Sequence, residues 1–323
     1  MRAYGPTTSF PTRNVTLAII PKSLWTQELS QGKYRLIASL VKEFSQKLGI
    51  LCPRPNMALL AALRQGLRIF DLGVSMHNGM PQSPSNIPFS LALSKRHGDQ
   101  IQATTGGSGS NAIIITGDHV GTHIDGLCHV AKDGVLCGGI AVKDACMGGT
   151  YKQLGVETIE PMVCRGVLLD IATLKGKTRL DPGEGISDQD LELALGDTVL
   201  NAGDVVLIRT GWTQLYSDAA AYTGHKTGTP GVDASGGRWL ADHKVRAAGG
   251  DTISFEQVAP GPNFYMRPCH GILIFENGIH IIEVLDLEGL AKAKVKDFLF
   301  VLSPLKLVGA TGSPVRPLAI VDA

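Results

Sequence analysis

Apolar runs rich in β-branched residues recur along the chain and predict strands. They lie at 68–72, 112–116, 166–171, 204–209 and 247–253. The second, third and fourth runs contain few polar side chains, so these strands are expected to be buried. The segment 85–111 shows no clear period and is expected to be irregular.

Apolar positions three and four residues apart predict helices. These helices cover 26–48, 56–65, 187–195 and 234–243. Ser187 followed by Asp190 is typical of a helix N-terminus. Strands that alternate with helices favour a single mixed α/β domain.

A turn signal separates two further apolar segments late in the chain. Glu276-Asn277-Gly278 lies between 273–275 and 280–284, and this order predicts a hairpin. The two arms of such a hairpin would bring His270 and Glu283 together. Both residues are therefore candidate members of a site.

Prolines set the first part of the chain apart from the rest. Pro6, Pro11 and Pro21 interrupt residues 1–22, which predicts an extended arm. We expect residues 1–65 to form an N-terminal helical arm that packs on the core or contacts a partner subunit. Residues 66–323 are expected to form the main domain.

Composition and charge argue against several classes of protein. The 323 residues are 44% hydrophobic and 18% charged, with 39 glycines and a net charge of +1. This balance favours a loop-rich α/β enzyme over a nucleic-acid-binding protein. No apolar run reaches about 18 residues and no secretory signal is evident, so no membrane association is expected. Six cysteines without a CxxC pair favour a reduced, cytoplasmic protein.

Four ligand-type side chains lie within eleven residues, at His119, His123, Asp125 and His129. Imidazole nitrogens and carboxylate oxygens are ligands that suit zinc and manganese. On a straight strand His119 and His123 would be roughly 13 Å apart, too far to share one ion. The spacing therefore predicts a bent ligand loop, with flexibility supplied by the glycines at 121 and 126. The competing interpretation is a histidine-rich surface loop without function.

Other side chains near this segment have competing interpretations. Cys128 could be a nucleophile, but neighbours along an extended chain point apart, so a buried inert thiol is favoured. Arg209 at the end of a strand is expected to pair with a carboxylate. Five further residues are candidates for shaping the substrate pocket: Leu127, Val130, Trp212, Phe264 and Tyr265.

The spacing H-x-G-T-H-x-D-x-x-x-H from His119 to His129 resembles the signature of the cyclase-like metal-dependent hydrolases, a family that includes bacterial kynurenine formamidase and isatin hydrolase. Four further segments are similar to that family and occur in its order. They are Asp71-Leu72 with Gly79-Met80-Pro81, the strand Gly203 to Gly211, Gly250-Asp251-Thr252-Ile253-Ser254, and His270 to Glu283.

The resemblance implies a fold and a set of roles. The fold would be the swivelling β/β/α type, usually dimeric. His119, His123 and Asp125 would hold a divalent ion, zinc or manganese. The resemblance leaves one or two ions open. In members with two ions Asp125 would bridge them and His270 and Glu283 would bind the second, whereas in one-metal members these two residues would be its polar equivalents.

The resemblance also implies the catalytic residues and the limits of the match. His129 would be the general acid/base, and Glu283 is the other expected catalytic residue. Leu127 and Val130 depart from the family pattern, which leaves the substrate open. The spacing from His270 to Glu283 is closer to the isatin hydrolase type than to kynurenine formamidase.

The implied activity is metal-dependent hydrolysis of an amide, imide, lactam or lactone, with a cyclic small molecule as the expected substrate. The protein is expected to form a homodimer or a higher homo-oligomer. Three alternatives stay open: a non-catalytic metal- or small-molecule-binding protein on the same fold, an arylformamidase acting on a linear formamide, and a cysteine hydrolase that uses Cys128.

Overall fold

The structure, a computed structural model, describes residues 66–260 and 267–323. The predicted helices at 26–48 and 56–65, and the candidate pocket residues Phe264 and Tyr265, lie outside the described residues. The described part belongs to one compact unit, Ala62–Ala323. The boundary predicted at residue 65 stays a prediction.

Strands supply most of the regular structure in the described part of the chain. In chain order they are β1 (Leu67–Asp71), β2 (Ser90–Lys95), β3 (Asn111–Ile115), β4 (His123–Asp125), β5 (Ala131–Lys132), β6 (Val135–Leu136), β7 (Ile140–Ala141), β8 (Cys146–Met147), β9 (Thr150–Tyr151), β10 (Met162–Asp170), β11 (Gly185–Ile186), β12 (Val205–Arg209), β13 (Gly231–Val232), β14 (Ala247–Gly250), β15 (His280–Glu283), β16 (Asp297–Leu302), β17 (Gly312–Pro314) and β18 (Leu318–Asp322).

The helices are short and lie between the strands. They are α1 (Val142–Ala145), α2 (Ile171–Leu174), α3 (Asp188–Leu195), α4 (Ala219–Thr223), α5 (Ala234–Asp242), α6 (Pro268–His270) and α7 (Glu288–Lys292). A π-helix over Gly271–Glu276 continues α6. Short 3-10 helices cover Cys137–Gly139, Val156–Thr158 and Trp212–Leu215.

A nine-stranded mixed sheet forms the centre of the fold, in the order β1-β18-β16-β10-β12-β14-β15-β4-β17. The strands β10, β12, β14 and β15 are parallel, and the flanking pairs are antiparallel. Parallel strands are normally covered on both faces. Accordingly Val167 and Val206 face one core, whereas Leu168 and Leu207 face the other. This mixed α/β arrangement confirms the predicted fold class.

Two helices cover one face of this sheet, and each begins at a side-chain cap. Ser187 and Asp190 form a capping box at the start of α3, and Asp233 caps α5. Both helices contribute to the same core as Val167. The helices predicted at 187–195 and 234–243 are therefore confirmed.

The predicted pairing of Arg209 is also confirmed. Its guanidinium donates to both carboxylate oxygens of Glu288 at 2.7 and 3.0 Å and to Asp170 at 2.8 Å. These bonds tie the ends of β10 and β12 to α7. The role of Arg209 is therefore structural.

Three expectations were wrong: the burial of the run at 112–116, the irregular segment 85–111 and the hairpin at 273–284. The predicted strand at 112–116 is confirmed as β3, but among the described strands it pairs with β2 alone, and Ile114 is 60% exposed. Its partner β2 lies inside the segment 85–111, which was expected to be irregular. The predicted hairpin is instead a π-helix, Gly271–Glu276, followed by β15, because the first apolar run is helical.

Two further expectations concern the membrane and the cysteines. Within 66–260 and 267–323, no helix is long and apolar enough to cross a membrane. The five cysteines in these ranges are all free: Cys128, Cys137, Cys146, Cys164 and Cys269.

Candidate metal centre

Three adjacent strands at one side of the sheet build the base of the site. The short strand β4 lies between β15 and β17, and in the β4–β15 pair His123 is directly opposite Glu283. Opposed residues on neighbouring strands have side chains in contact range. Asp125 follows His123 by two residues and therefore points to the same face, whereas Ile124 is buried in the core behind it.

The loop before β4 bends as the spacing predicted. Gly121 has a φ of 68°, a conformation that suits glycine, and its turn brings the rings of His119 and His123 to 5.2 Å between centroids. Gly126 does not adopt a positive φ. A Cβ atom at Gly126 would lie 3.0 Å from the Thr311 carbonyl oxygen, so this glycine permits close packing. On β17, a Cβ atom at Gly312 would lie 2.7 Å from the His119 ring, so this glycine leaves the space that the imidazole occupies.

His270 reaches the site from a different element. It ends α6, directly before the π-helix, and is 8% exposed. Its Nε2 lies 3.7 Å from Asp125 Oδ2 and 3.4 Å from Glu283 Oε1. His270 and Glu283 therefore meet as expected, although a helix rather than a hairpin arm delivers the histidine.

The predicted ligand atoms converge on Asp125. His119 Nδ1 lies 2.9 Å and His123 Nε2 lies 3.7 Å from Asp125 Oδ1, and His123 Nε2 is 3.2 Å from Glu283 Oε2. Two groups have ligand atoms within 4.8 Å of one another: His119 with Asp125 and His129, and Asp125 with His270 and Glu283. Asp125 belongs to both groups and stands where two ions would share a ligand.

Each of three imidazoles has its outer nitrogen bound to an acceptor. His123 Nδ1 donates to the carbonyl of Gly121 at 2.8 Å, and His270 Nδ1 donates to the carboxylate of Glu256. His119 Nε2 donates to the Thr311 hydroxyl at 2.9 Å, and that hydroxyl in turn donates to Asp118. The three inner nitrogens therefore present lone pairs to the carboxylates.

Inner nitrogens that face carboxylate oxygens require a positive charge between them, either a proton or a metal ion. Four buried atoms of this kind have no hydrogen-bond partner among the described residues: His123 Nε2, both carboxylate oxygens of Asp125, and Glu283 Oε1. Buried polar atoms without partners are costly unless a ligand completes them. The donor set fits a divalent cation such as zinc or manganese.

The electrostatics of the site agree with this need for positive charge. Burial alone would disfavour the charged form of His123, but the Glu283 carboxylate 3.2 Å away outweighs it and raises the pKa to about 9. Despite burial, the neighbouring imidazoles hold the pKa of Asp125 well below its usual range. The carboxylates of Glu256 and Glu283 likewise raise the pKa of His270. Without an ion, His123 and His270 therefore keep their protons, and metal binding would displace them.

His129 differs from the other histidines of the site. Its ring lies 4.0 Å from that of His119 and 5.9 Å from that of His270, with one edge exposed to solvent. Partial burial, together with positive charge on the two neighbouring histidines, lowers the pKa of His129. A neutral imidazole at the rim can accept a proton.

A cavity of about 600 Å³ opens over these residues. Its walls combine the site histidines with a polar loop and a few apolar side chains. The lining residues outside the ligand group include Gln82, Asn86, Thr223, Ile253, Ser254 and Arg267. A volume of this size accommodates a small organic molecule.

The structure places two predicted pocket residues in the core instead. Leu127 packs against the main core, and Trp212 is 2% exposed with its indole N–H donating to the Tyr222 carbonyl. Neither lines the cavity over the ligand group, because each is held by core contacts. Val130 lines a smaller cavity of about 380 Å³ that shares His129, Arg267 and His270 with the larger one.

Cys128 also lies outside the cavity lining. It is 1% exposed, its thiol faces the Ala310 carbonyl at 3.6 Å, and burial raises its pKa to about 11. A thiol in this state is protonated and a poor nucleophile.

Sequence reasoning missed the groups that hold the ligands. Glu256 binds His270, and Asp118 accepts hydrogen bonds from Thr311 and Gly312. The positions of Asp118, next to His119, and Glu256, two residues after Ser254, were the only signals. Neither position alone indicates which ring the carboxylate reaches.

Comparison with known proteins identifies relatives in sequence and in fold. Isatin hydrolase from Roseibium aggregatum is 29% identical over 125 residues, which are 38% of this chain, and the match spans about half the length of that relative, 46%. A crystal structure of a novel cyclase superimposes with a TM-score of 0.72 at 25% identity, covering 82% of this chain and 93% of that one. Isatin hydrolase A from Ralstonia solanacearum gives 0.64 at 25% identity, covering 84% and 98%.

A family model also matches the chain. The cyclase model, described as "Putative cyclase", covers residues 70–257, which is more than half of the chain. That range contains the segment from His119 to His129, and the superimposed structures share the fold that builds the site around it. The chain belongs to the cyclase family.

Proposed function

We propose that this protein is a divalent-metal-dependent hydrolase that opens a C–N or C–O bond in a cyclic amide, imide, lactam or lactone. The observation that carries the proposal is the convergence of three imidazole lone pairs on two buried carboxylates, with four unpartnered atoms between them. Relatives named isatin hydrolase support a hydrolytic activity.

The ligands divide into two groups that share one carboxylate. His119, His123 and Asp125 would hold one ion, because both rings lie next to Asp125 Oδ1. Asp125, His270 and Glu283, whose ligand atoms lie within 4.8 Å of one another, would hold the second. When bound, a divalent ion at this position lowers the pKa of water towards 7 and polarises a carbonyl group.

The remaining chemistry belongs to His129. Its neutral ring lines the cavity beside His119, so it is placed to accept a proton from water and return it to the leaving nitrogen or oxygen. In a cyclic substrate the leaving group stays attached to the product and remains next to His129. The product gains a carboxylate at the bond that opens.

Metal analysis tests the metal-dependent part of the proposal. The full chain would be stripped with a chelator, reloaded with Zn²⁺ or Mn²⁺, and its metal content measured by mass spectrometry. We expect metal to bind and Asp125→Asn to lose it, because Asp125 belongs to both groups. His97→Ala is the matched control, since this exposed histidine contacts only Ser108 in the described part. A reloaded wild type without stoichiometric metal would overturn the proposal.

A substrate screen tests the reaction. Cyclic amides, imides, lactones and formyl-anilides would be incubated with the metal-loaded protein and followed for a mass gain of one water. Hydrolysis of a cyclic compound supports the proposal. Turnover of formyl-anilides alone would assign a linear formamide substrate, and tight binding without turnover would assign a non-catalytic binding protein.

A further inference from the structure

Glu256 is a buried carboxylate that lies beside the second ligand group without belonging to it. We propose that Glu256 is a positioning residue that fixes the tautomer and orientation of His270 and thereby sets the metal affinity of the group Asp125, His270 and Glu283. This inference rests on the proposed function, since it assumes that the group holds an ion.

Three contacts of Glu256 lie on one short segment. Its side chain is fully buried and accepts hydrogen bonds from the backbone N–H of Cys269 at 2.7 Å and of His270 at 3.3 Å. It also forms a short hydrogen bond with His270 Nδ1. One carboxylate therefore holds both the first turn of α6 and the imidazole that α6 carries.

The contact with Nδ1 decides which nitrogen of His270 can bind an ion. Both carboxylate oxygens of Glu256 accept a backbone N–H, Oε2 from Cys269 and Oε1 from His270, so the carboxylate acts as an acceptor and the ring donates to it from Nδ1. The lone pair then lies on Nε2, which faces Glu283 Oε1 at 3.4 Å and Asp125 Oδ2 at 3.7 Å. Without Glu256 the ring could turn or change tautomer and present an N–H to the same oxygens.

The three ligand imidazoles differ in what holds them. His123 is held by a backbone carbonyl and His119 by a hydroxyl, whereas His270 is held by a carboxylate. A charged acceptor gives the stronger hydrogen bond and makes the imidazole a better electron donor. In the group Asp125, His270 and Glu283 a carboxylate bonds directly to the ligand ring. In the group His119, His123 and Asp125 the rings are bonded to a hydroxyl and a carbonyl instead.

The backbone around Glu256 is fixed independently of His270. Phe255, directly before it, is buried and has a φ of 57°, an uncommon conformation for a residue with a side chain. The carbonyl of Val232 in β13 accepts the Gln257 N–H at 3.0 Å. Such constrained positions concentrate at functional sites. The carboxylate is therefore held in place before any ion binds.

The experiment is a metal titration of the full-length apoprotein with a competing chromophoric chelator. Wild type is expected to bind two ions. Glu256→Gln should raise the dissociation constant of one of the two ions, the one that Asp125, His270 and Glu283 would hold, about 10- to 100-fold, the usual effect of removing such a neighbour. The dissociation constant of the other ion should stay within about twofold of the wild-type value. Excess metal should restore turnover, because the catalytic groups remain in place.

Asp251→Asn is the matched control. Asp251 is also a fully buried carboxylate that accepts backbone N–H groups, from Thr210 at 3.0 Å and Gly211 at 2.7 Å, but it contacts no ligand histidine. Its titration should match wild type. Unchanged affinities in Glu256→Gln, or equal losses in both variants, would overturn the proposal. A wild type that binds no ion would instead overturn the proposed function.

A second measurement does not depend on a folded variant. In metal-loaded wild type labelled with ¹⁵N-histidine, His270 should show a protonated Nδ1 and a metal-shifted Nε2. A protonated Nε2, or metal bound through Nδ1, would contradict the positioning role of Glu256.

Discussion

The surroundings of His129, rather than its position in the motif, distinguish it from the ligand histidines. The outer nitrogens of His119, His123 and His270 are tied to protein acceptors, and their inner nitrogens meet carboxylates. His129 instead lines both cavities and keeps an exposed edge. A ring that must gain and lose a proton needs this freedom, whereas a ligand needs a fixed direction.

Replacement of His129 tests its proposed role in proton transfer. We expect His129→Ala to lower kcat about 10²- to 10⁴-fold, the range associated with loss of a general acid/base, while metal content stays within about 20% of wild type. Steady-state kinetics on the substrate found by the screen, with metal analysis of the same samples, would measure both. Loss of one ion together with activity would show that His129 is a ligand instead.

Replacement of Cys128 tests the alternative that the protein is a cysteine hydrolase. Because Cys128 is buried and its pKa is raised to about 11, Cys128→Ala should keep kcat within about threefold of wild type. The small cavity left behind should lower the free energy of unfolding by about 1 kcal/mol. Kinetics and chemical denaturation would check both values. A hundredfold loss of activity with metal retained would favour a cysteine hydrolase.

Ion pairs next to α3 make the stability of that element depend on pH. Glu184 accepts hydrogen bonds from Lys177 at 2.9 Å and from the Asp181 N–H at 2.9 Å, and lies 3.4 Å from Lys175. Burial alone would raise its pKa, but these bonds outweigh burial and lower it below 4.5. A carboxyl group whose pKa is lower in the folded state stabilises the fold above its unfolded pKa, and this contribution is lost as pH falls.

We therefore expect Glu184→Gln to be less stable than wild type at pH 7 by about 1 kcal/mol. The difference should shrink as the pH falls below 4.5 and through the lowered pKa of Glu184, because the wild-type carboxyl group then becomes protonated. Urea denaturation at several pH values would measure it. Glu160→Gln, at an exposed position, is the control. A difference that stays constant as the pH falls until the wild type unfolds would contradict this account.

Local pattern was enough to predict the ligand loop and the capped helices. The spacing from His119 to His129 contains its own geometric argument, since a straight strand could not close the site. Ser187 and Asp190 satisfy each other within one turn, so their neighbours in space are also neighbours in sequence. Where the partners are local, the sequence predicts the structure.

The errors arise where distant partners decide the outcome. The run at 273–275 is short and apolar, and such runs do not distinguish a strand from a buried helix. The isoleucines of β3 are typical of a buried strand, yet among the described strands β3 pairs only with β2, and its isoleucines stay exposed. Glu256 is an isolated acidic residue, and only the fold reveals that it reaches His270.

The hairpin formed by β2 and β3 presents exposed apolar side chains at the surface of the molecule. Leu91, Leu93 and Ile114 lie on one face, and Ile113 and Ile115 lie on the other; each is between 41% and 60% exposed. A patch of this kind usually marks an interaction site. The hairpin is also connected to the site, because Asn78 donates to the Leu91 carbonyl and residues 81–86, which lie between these two residues in the sequence, line the cavity.

We expect a second copy of the chain to cover this hairpin in the homodimer that the family resemblance implies. We expect Ile114→Lys to halve the mass of the wild-type protein measured by light scattering, to about the 34.2 kDa of one chain, because a buried lysine would remain unpaired. Leu193→Lys, on the exposed side of α3 at 69% exposure, should leave the mass unchanged. A monomeric wild type would mean that the dimer prediction is wrong, and an Ile114→Lys variant that stays dimeric would place the interface elsewhere.

Since the hairpin is bonded to the loop that lines the cavity, a genuine dimer contact should also make turnover fall when the protein is diluted below its dissociation constant.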